Sequence, residues 1–451
     1  MPARYDLIVS NGTVVAGQGR APLDIGIVGG SIAAIAPSGA LDGTGRESLD
    51  ASELFVLPGV IDAHVHFREP GLEHKEDWLT GSRAAVHGGV TTVLDMPNTV
   101  PPTRSIDGVR AKVALAAAKS YCDFGLFGLV DDAGSGSLAE LVESGLVVGL
   151  KVFLGPTTGD LAAPPDDRLL RALELAREAG LRTAFHAEDK ATLSRTQAAV
   201  TRRRDVLAHL QARPAEAEVA AIDHVGRLLH AAGAAGHILH LSSAKGLAAV
   251  RRWRARGVDL SCEVTPHHIF LGLADYERLG AAMKVNPPVR GEPDASALLA
   301  ALCDGTIDCV ASDHAPHAPL EKSTADIRSA AAGVAGVETM LPLLLTAVAR
   351  GELTLERLAA ATSEAPARAW GLWPRKGAIA VGSDADLSVV DMRVERTIRG
   401  SDLHAKHPLT PFEGRPTRGA AVATIVRGRV VMQGGRLRAV PGCGRSVRTV
   451  A

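Results

Sequence analysis

The chain has 451 residues, 46% apolar and 22% charged, a composition that buries a sizeable core and excludes disorder as the main state. Lys and Arg number 49 against 50 Asp and Glu, so the net charge is −1; that balance, with 3% aromatics, argues against a general nucleic-acid binder. Five cysteines without a CxxC pair, no apolar leader and no run of eighteen apolar residues point to a reduced, cytoplasmic protein without a membrane span.

The first 55 residues read as short strands. Tyr5–Val9 and Thr13–Val15 flank Asn11-Gly12, and Asp24–Val28 and Ser31–Ile35 flank Gly29-Gly30. Strand, glycine turn, strand predicts a hairpin at each place. Asp386–Asp391, Ala421–Arg427 and Arg429–Met432 repeat the pattern near the other end. Residues 1–55 and 378–451 are therefore expected to build one small β-sandwich from both termini. Between them, apolar strand-like runs fall at 55–62, 90–96, 123–130, 147–153, 182–186, 237–241, 258–264 and 307–313. Helical stretches such as 167–180 and 214–232 separate them. Eight such units over residues 56–377 fit the α/β class as a (β/α)8 TIM barrel.

The informative polar residues sit in or just after these runs. His64 and His66 follow the first at a spacing of two, which puts both imidazoles on one side of a strand, able to grip one metal. Lys151 interrupts the apolar run VVGLKVFLG; His186, His240 and Asp313 lie at the ends of the fifth, sixth and eighth runs. Alone, a histidine is more often structural, a lysine snorkels and an aspartate after a strand caps a helix. In a barrel, however, all strand C-termini converge on one face. An ammonium is no metal ligand, but a lysine carbamylated by carbon dioxide is an anionic carboxylate on a long stem. It could bridge two metals, with His64, His66 and Asp313 on one and His186 and His240 on the other. Such N/O ligands with an open position suit two Zn²⁺ ions. Ser242-Ser243-Ala244-Lys245 fits an S-x-x-K pattern without its companion motifs, Gly134-Ser135-Gly136 lacks a full nucleophile elbow, and no P-loop occurs.

The stretch GVIDAHVHFREPGLEHKEDWLTGSRAAVHGGVTTVLDMPNTVPPT (59–103) resembles the first metal motif of the amidohydrolase superfamily and, more narrowly, of the dihydroorotase family. KVFLGPTTG (151–159), HAED (186–189), HILHLSSAKGL (237–247), EVTPHHIFL (263–271), KVNPPVR (284–290), ASDHAPH (311–317), GVETMLPLL (336–344) and TPFEG (410–414) extend the likeness over nearly the whole chain. The resemblance implies reversible hydrolysis of dihydroorotate to N-carbamoyl-L-aspartate, with Asp313 accepting and returning the proton. It further implies that Arg68, Asn98 and His317 bind the substrate carboxylate, for which a planar guanidinium supplies two parallel hydrogen bonds. Asn286 and Arg290 match a segment near the ring. His267 and His268 are expected to be structural, and His237 and His314 to face away from the metals. Lysine carbamylation, a homo-oligomer and a partnership with aspartate transcarbamylase follow from the same likeness. Allantoinases and hydantoinases share the metal residues and are the competing reading; a non-catalytic scaffold is the distant one. The bland loop 318–335 is a candidate lid.

Overall fold

The computed structural model describes residues 4–16, 19–133, 138–156, 161–324 and 326–448. Gly134-Ser135-Gly136 and the end of the KVFLGPTTG motif lie outside the described residues.

Five strands precede the barrel: β1 (Tyr5–Ala16), β2 (Gly19–Val28), β3 (Ser31–Pro37), β4 (Gly45–Asp50) and β5 (Phe55–Pro58). Eight follow in the middle: β6 (Val60–Val65), β7 (Val90–Asp95), β8 (Asp123–Val130), β9 (Gly149–Phe153), β10 (Thr183–His186), β11 (Gly236–Ile238), β12 (Leu260–Val264) and β13 (Cys309–Val310). Four close the chain: β14 (Leu387–Thr397), β15 (Pro416–Val426), β16 (Arg429–Gln433) and β17 (Arg436–Leu437).

Strands β6 to β13 pair in parallel and in sequence order. A bridge between Val65 and His314 closes the ring, with the His66 N–H donating to the His314 carbonyl at 2.8 Å. β6 through β9 are buried at every position, as expected of strands covered on both faces. Helices Asp166–Glu178 and Ala215–Ala232 lie where the sequence predicts them. Trp370 plugs the base: a Cβ at Gly149, the first residue of β9, would lie 2.8 Å from its ring, and Phe127 meets it edge-on at 4.7 Å. The opposite rim, at the strand C-termini, is left for polar side chains.

The termini form one nine-stranded sheet in the order β17-β16-β15-β14-β5-β1-β2-β3, with β4 on the first half of β1. Its strands share an apolar core that includes Val9, Ile25, Val56, Leu387 and Ile425. β5 is the splice, parallel to β1 and antiparallel to β14. The 55/56 division read from the sequence falls inside β5, and this pairing puts all of β5 in the sheet, so Gly59 marks the junction. Gly29-Gly30 is the expected tight turn, with Val28 opposite Ser31. Asn11-Gly12 is not a turn. β1 runs straight through it as a bulge, Asn11 at φ 61 donating its N–H to Asp24 Oδ1 at 3.0 Å. After β17 the chain leaves the sheet and returns to the barrel, where Val447 N–H donates to the Phe124 carbonyl at 2.8 Å.

Lys376 joins barrel and sheet. Its buried ammonium lies 2.7 Å from Asp123, 3.1 Å from Asp384 and 2.6 Å from Asp386. That acidic trio has the spacing of a cation site, and the lysine already fills it. Among the described residues no helix is long and apolar enough to cross a membrane.

Candidate functional site

A cavity of about 30 Å³ opens at the C-terminal rim. His64, His66, Arg68, Asn98, Lys151, His186, His240, Asn286 and Asp313 all line it, with Phe153, Ala315, Ala332 and Gly333. Of the predicted site residues, His317 alone stays off the wall and stands behind Arg68, its Nε2 3.2 Å from the Arg68 Nη2. Residues more than two hundred positions apart meet because each lies on or beyond the end of a parallel strand.

The side chains are aimed by backbone as much as by pleat. Arg68, His240 and Asp313 have φ of 65, 36 and 45, three of the six non-glycine residues with positive φ among those described. Such backbone is costly and persists where the surroundings fix it. It explains a departure from strand alternation. His237, expected to face away, points into the barrel beneath the site, with Nδ1 2.7 Å from Ser261 Oγ and Nε2 3.2 Å from Glu263. His240 also faces inward because it lies beyond β11, where the pleat no longer applies.

Three of the four imidazoles are held by one nitrogen and offer the other, while His240 Nδ1 has no partner. His64 Nδ1 is bound to Glu263 Oε1 at 2.6 Å, leaving Nε2 3.3 Å from Asp313. His66 Nδ1 meets Asn98 Oδ1 at 2.7 Å, leaving Nε2 3.2 Å from Asp313. His186 Nε2 rests on Glu188 at 3.0 Å, and its Nδ1 lies 2.9 Å from His240 Nε2. Glu188 is itself paired with Arg213. A carboxylate or amide oxygen behind a histidine fixes its tautomer and raises its basicity toward a metal.

The donor atoms of His64, His66 and Asp313 all lie within 4.8 Å of one another. Burial pushes the His66 imidazole down to about 3, so it keeps a free lone pair. Burial alone would raise the Asp313 carboxyl, but His64 and His66 beside it hold it well below the usual carboxylate range. Lys151 is fully buried, its Nζ without a hydrogen-bond partner, and burial lowers it to about 7. Imidazole nitrogens, an ionised carboxylate and an unpaired amine fit a divalent metal and a lysine open to modification.

Beside these donors lies a cationic corner. Arg68 is 2% exposed, has no ion pair among the described residues, and its Nε has no partner. Lys75, which has only hydrogens to give, sits 3.1 Å from His317 Nδ1, so that nitrogen accepts. His317 Nε2 then carries the proton and donates it to the Ala332 carbonyl at 3.0 Å. The Arg68–His317 contact is therefore donor against donor. Asn286 adds a buried Oδ1 without a partner.

Sequence reasoning passed over Glu263, Glu188 and Lys75. For Glu263 the signal is a carboxylate inside the barrel strand β12, LSCEV, where it is buried. Three further motif residues, Arg290, His268 and His314, lie off the cavity wall. Arg290 binds Ser242 Oγ and the Arg213 carbonyl; His268 sits between Thr265 Oγ1 and the Pro287 carbonyl. His314 faces Glu76, away from the ligands. Ser242 and Ser243 are tied to Glu218, which accounts for the S-x-x-K decoy.

A family model described as the amidohydrolase family matches residues 55–431. The chain is 41% identical to a protein named allantoinase from Rubrobacter xylanophilus, over 98% of each chain. It is 46% identical to one named dihydroorotase from Halobacterium salinarum, over 87% of this chain and 89% of that one. Among solved structures, L-hydantoinase from Arthrobacter aurescens superposes with a TM-score of 0.95 at 32% identity, over 99% of this chain and 100% of that one.

Proposed function

The chain belongs to the amidohydrolase family and is a metal-dependent hydrolase of cyclic amides; from that premise we propose that its substrate is dihydroorotate, opened reversibly to N-carbamoyl-L-aspartate. The observation that carries this reading is Arg68, a buried guanidinium facing the cavity with a donor for its neighbour and no carboxylate of its own. A ring carboxylate supplies the missing acceptor, and a fork of two N–H groups holds it in one orientation.

His64, His66 and Asp313 would hold one zinc ion and His186 and His240 a second, with a carbamate on Lys151 shared between them. Such metals supply Lewis acidity toward the scissile carbonyl and a water of lowered pKa. Lys151 is suited to modification because burial keeps much of its amine neutral near pH 7. The Nζ lone pair adds to carbon dioxide, one proton leaves, and the product is an anion. Asn286 Oδ1 accepts a ring N–H. Asp313, held as a carboxylate, takes the proton released by the attacking water and returns it to the departing ring nitrogen, which is otherwise too basic to leave. Ring closure follows the same path reversed. A cytoplasmic homo-oligomer working beside aspartate transcarbamylase accords with this reading.

The second reading, an allantoinase or hydantoinase, is supported by the end-to-end likeness to the Rubrobacter protein. Neither ring carries a carboxylate. Assays on dihydroorotate, allantoin and hydantoin, with wild type and Arg68→Met, separate the two. We expect turnover of dihydroorotate and a loss of about 100-fold or more in kcat/KM on substitution, the cost of an unpaired buried charge-assisted pair. Turnover of allantoin or hydantoin alone, indifferent to Arg68, would sink the dihydroorotate assignment.

A further inference from the structure

Part of the cavity wall is backbone. Ala332 and Gly333 form it, on the segment that follows the short helix Pro319–Lys322. A ring seated in the cavity lies against this backbone, so whatever holds the segment in place sets how tightly the ring is enclosed.

That holder is identifiable. Lys322 is 5% exposed and makes no ion pair among the described residues. Its Nζ donates to three backbone carbonyls, those of Lys284 at 3.0 Å, Ala331 at 3.0 Å and Gly333 at 2.9 Å. Burial and the neighbouring Lys284 lower it to about 7, but three acceptors for its three N–H groups, which Lys151 lacks, favour the ammonium. The carbonyls alternate along the wall: Ala331 and Gly333 turn to Lys322, while Ala332 between them turns to His317 Nε2. Lys284 reinforces the arrangement. Its carbonyl also accepts the Gly333 N–H at 2.9 Å, and its Nζ donates to Arg328 and Ala330 at 3.0 and 2.7 Å. Gly333 has φ 140, and a Cβ there would lie 2.3 Å from the Ala315 carbonyl, so the wall is seated tightly.

We propose that Lys322 is a positioning residue whose ammonium holds the Ala331–Gly333 backbone closed over the substrate cavity and thereby sets His317. The bonds are charge-assisted, which favours the closed wall; the ammonium regains water when the wall opens, which offsets much of that gain. A buried cation held in this way is a latch on the segment. The inference rests on the cavity being the substrate site.

The test compares wild type, Lys322→Met and Lys322→Arg on whichever of dihydroorotate, allantoin and hydantoin the wild type turns over, together with amide hydrogen exchange of residues 329–334. For Lys322→Met we expect KM to rise about 10- to 100-fold, with kcat changed far less. Metal content should be unaltered and exchange in 329–334 faster; Lys322→Arg should recover part of the KM. Unchanged KM and exchange overturn the proposal, as does a fall in metal content with kcat. If none of the three rings is turned over, the substrate reading has failed, and exchange alone decides on the latch. If the Met variant does not fold, exchange of the wild type decides: slowing of 329–334 on saturation with the turned-over ring supports the latch, and no slowing overturns it.

Discussion

Lys151 Nζ has no hydrogen-bond partner and lies 4.4 Å from the centroid of the Phe153 ring. Burying an amine without a partner is costly, and a Met of similar length would fill the space more cheaply. The residue is explained if its nitrogen is converted to something that binds. Lys151→Ala should then lose bound metal, measured per chain by elemental analysis, with turnover down about 100-fold or more. A short carboxylic acid added to the variant should restore part of both. Metal content equal to wild type would reject the bridging role. The candidate ligands are legible in the sequence because each is a polar residue within an apolar run or where one ends. Glu263, Glu188 and Lys75 are not, since a carboxylate behind a histidine leaves no spacing rule; it is recognised only once His64 and Glu263, 199 residues apart, are seen at 2.6 Å.

At the level of elements, the sequence reports which segments are strands better than how they pair. Runs 90–96 and 123–130 became β7 and β8 almost unchanged. The run 55–62 split into β5 and β6, because an unbroken apolar stretch says nothing about which sheet receives it. Asn11-Gly12 misled for a related reason: the pair favours positive φ, and both a turn and a bulge use it. The two differ in what they ask of Gly12. In the bulge a Cβ there would lie 2.6 Å from Val56 Cγ2 and 3.0 Å from Ala51 Cβ. Gly12→Ala should therefore lower stability by about 1–3 kcal/mol, read from the denaturant midpoint, with metal content and KM unaltered because the sheet makes no part of the site. A variant as stable as wild type would mean that β1 is not packed there as described.

The whole molecule stakes its upper rim on histidines that must stay neutral. His209, His268 and His317 are buried, and burial, the largest cause for each, pushes them down to about 3, 4 and 2; His317 also lies beside Arg68 and Lys75. Each is committed to one backbone carbonyl, His209 Nε2 to that of Val285, His268 to that of Pro287 and His317 to that of Ala332. None of this was legible from the chain, since burial of a histidine depends on distant segments closing over it. In the unfolded chain all three titrate near 6.5, as free imidazoles do. Below that pH the unfolded state binds protons that the native state refuses, so their contribution is whole above 6.5 and is lost as pH falls from there toward 4. The loss is roughly 1 kcal/mol per histidine per pH unit, or about 3 kcal/mol between pH 6.5 and 5.5 for the three. Glu188, drawn down to about 2 by Arg213 and His186 against its burial, adds to the loss only below 4.5; in the metal-free protein His66, His186, His240 and His267, lowered likewise by burial, add to it in the same window, and Asp62, raised to about 6 by burial, offsets part of it. Against a total stability of about 5–15 kcal/mol, such a loss is large. Denaturant midpoints of the metal-free protein at pH 7.5, 6.5 and 5.5 should fall steeply over the last step and far less over the first. A midpoint level from 6.5 to 5.5 would mean that these imidazoles accept protons in the native state, and that the rim is wetter than its burial implies.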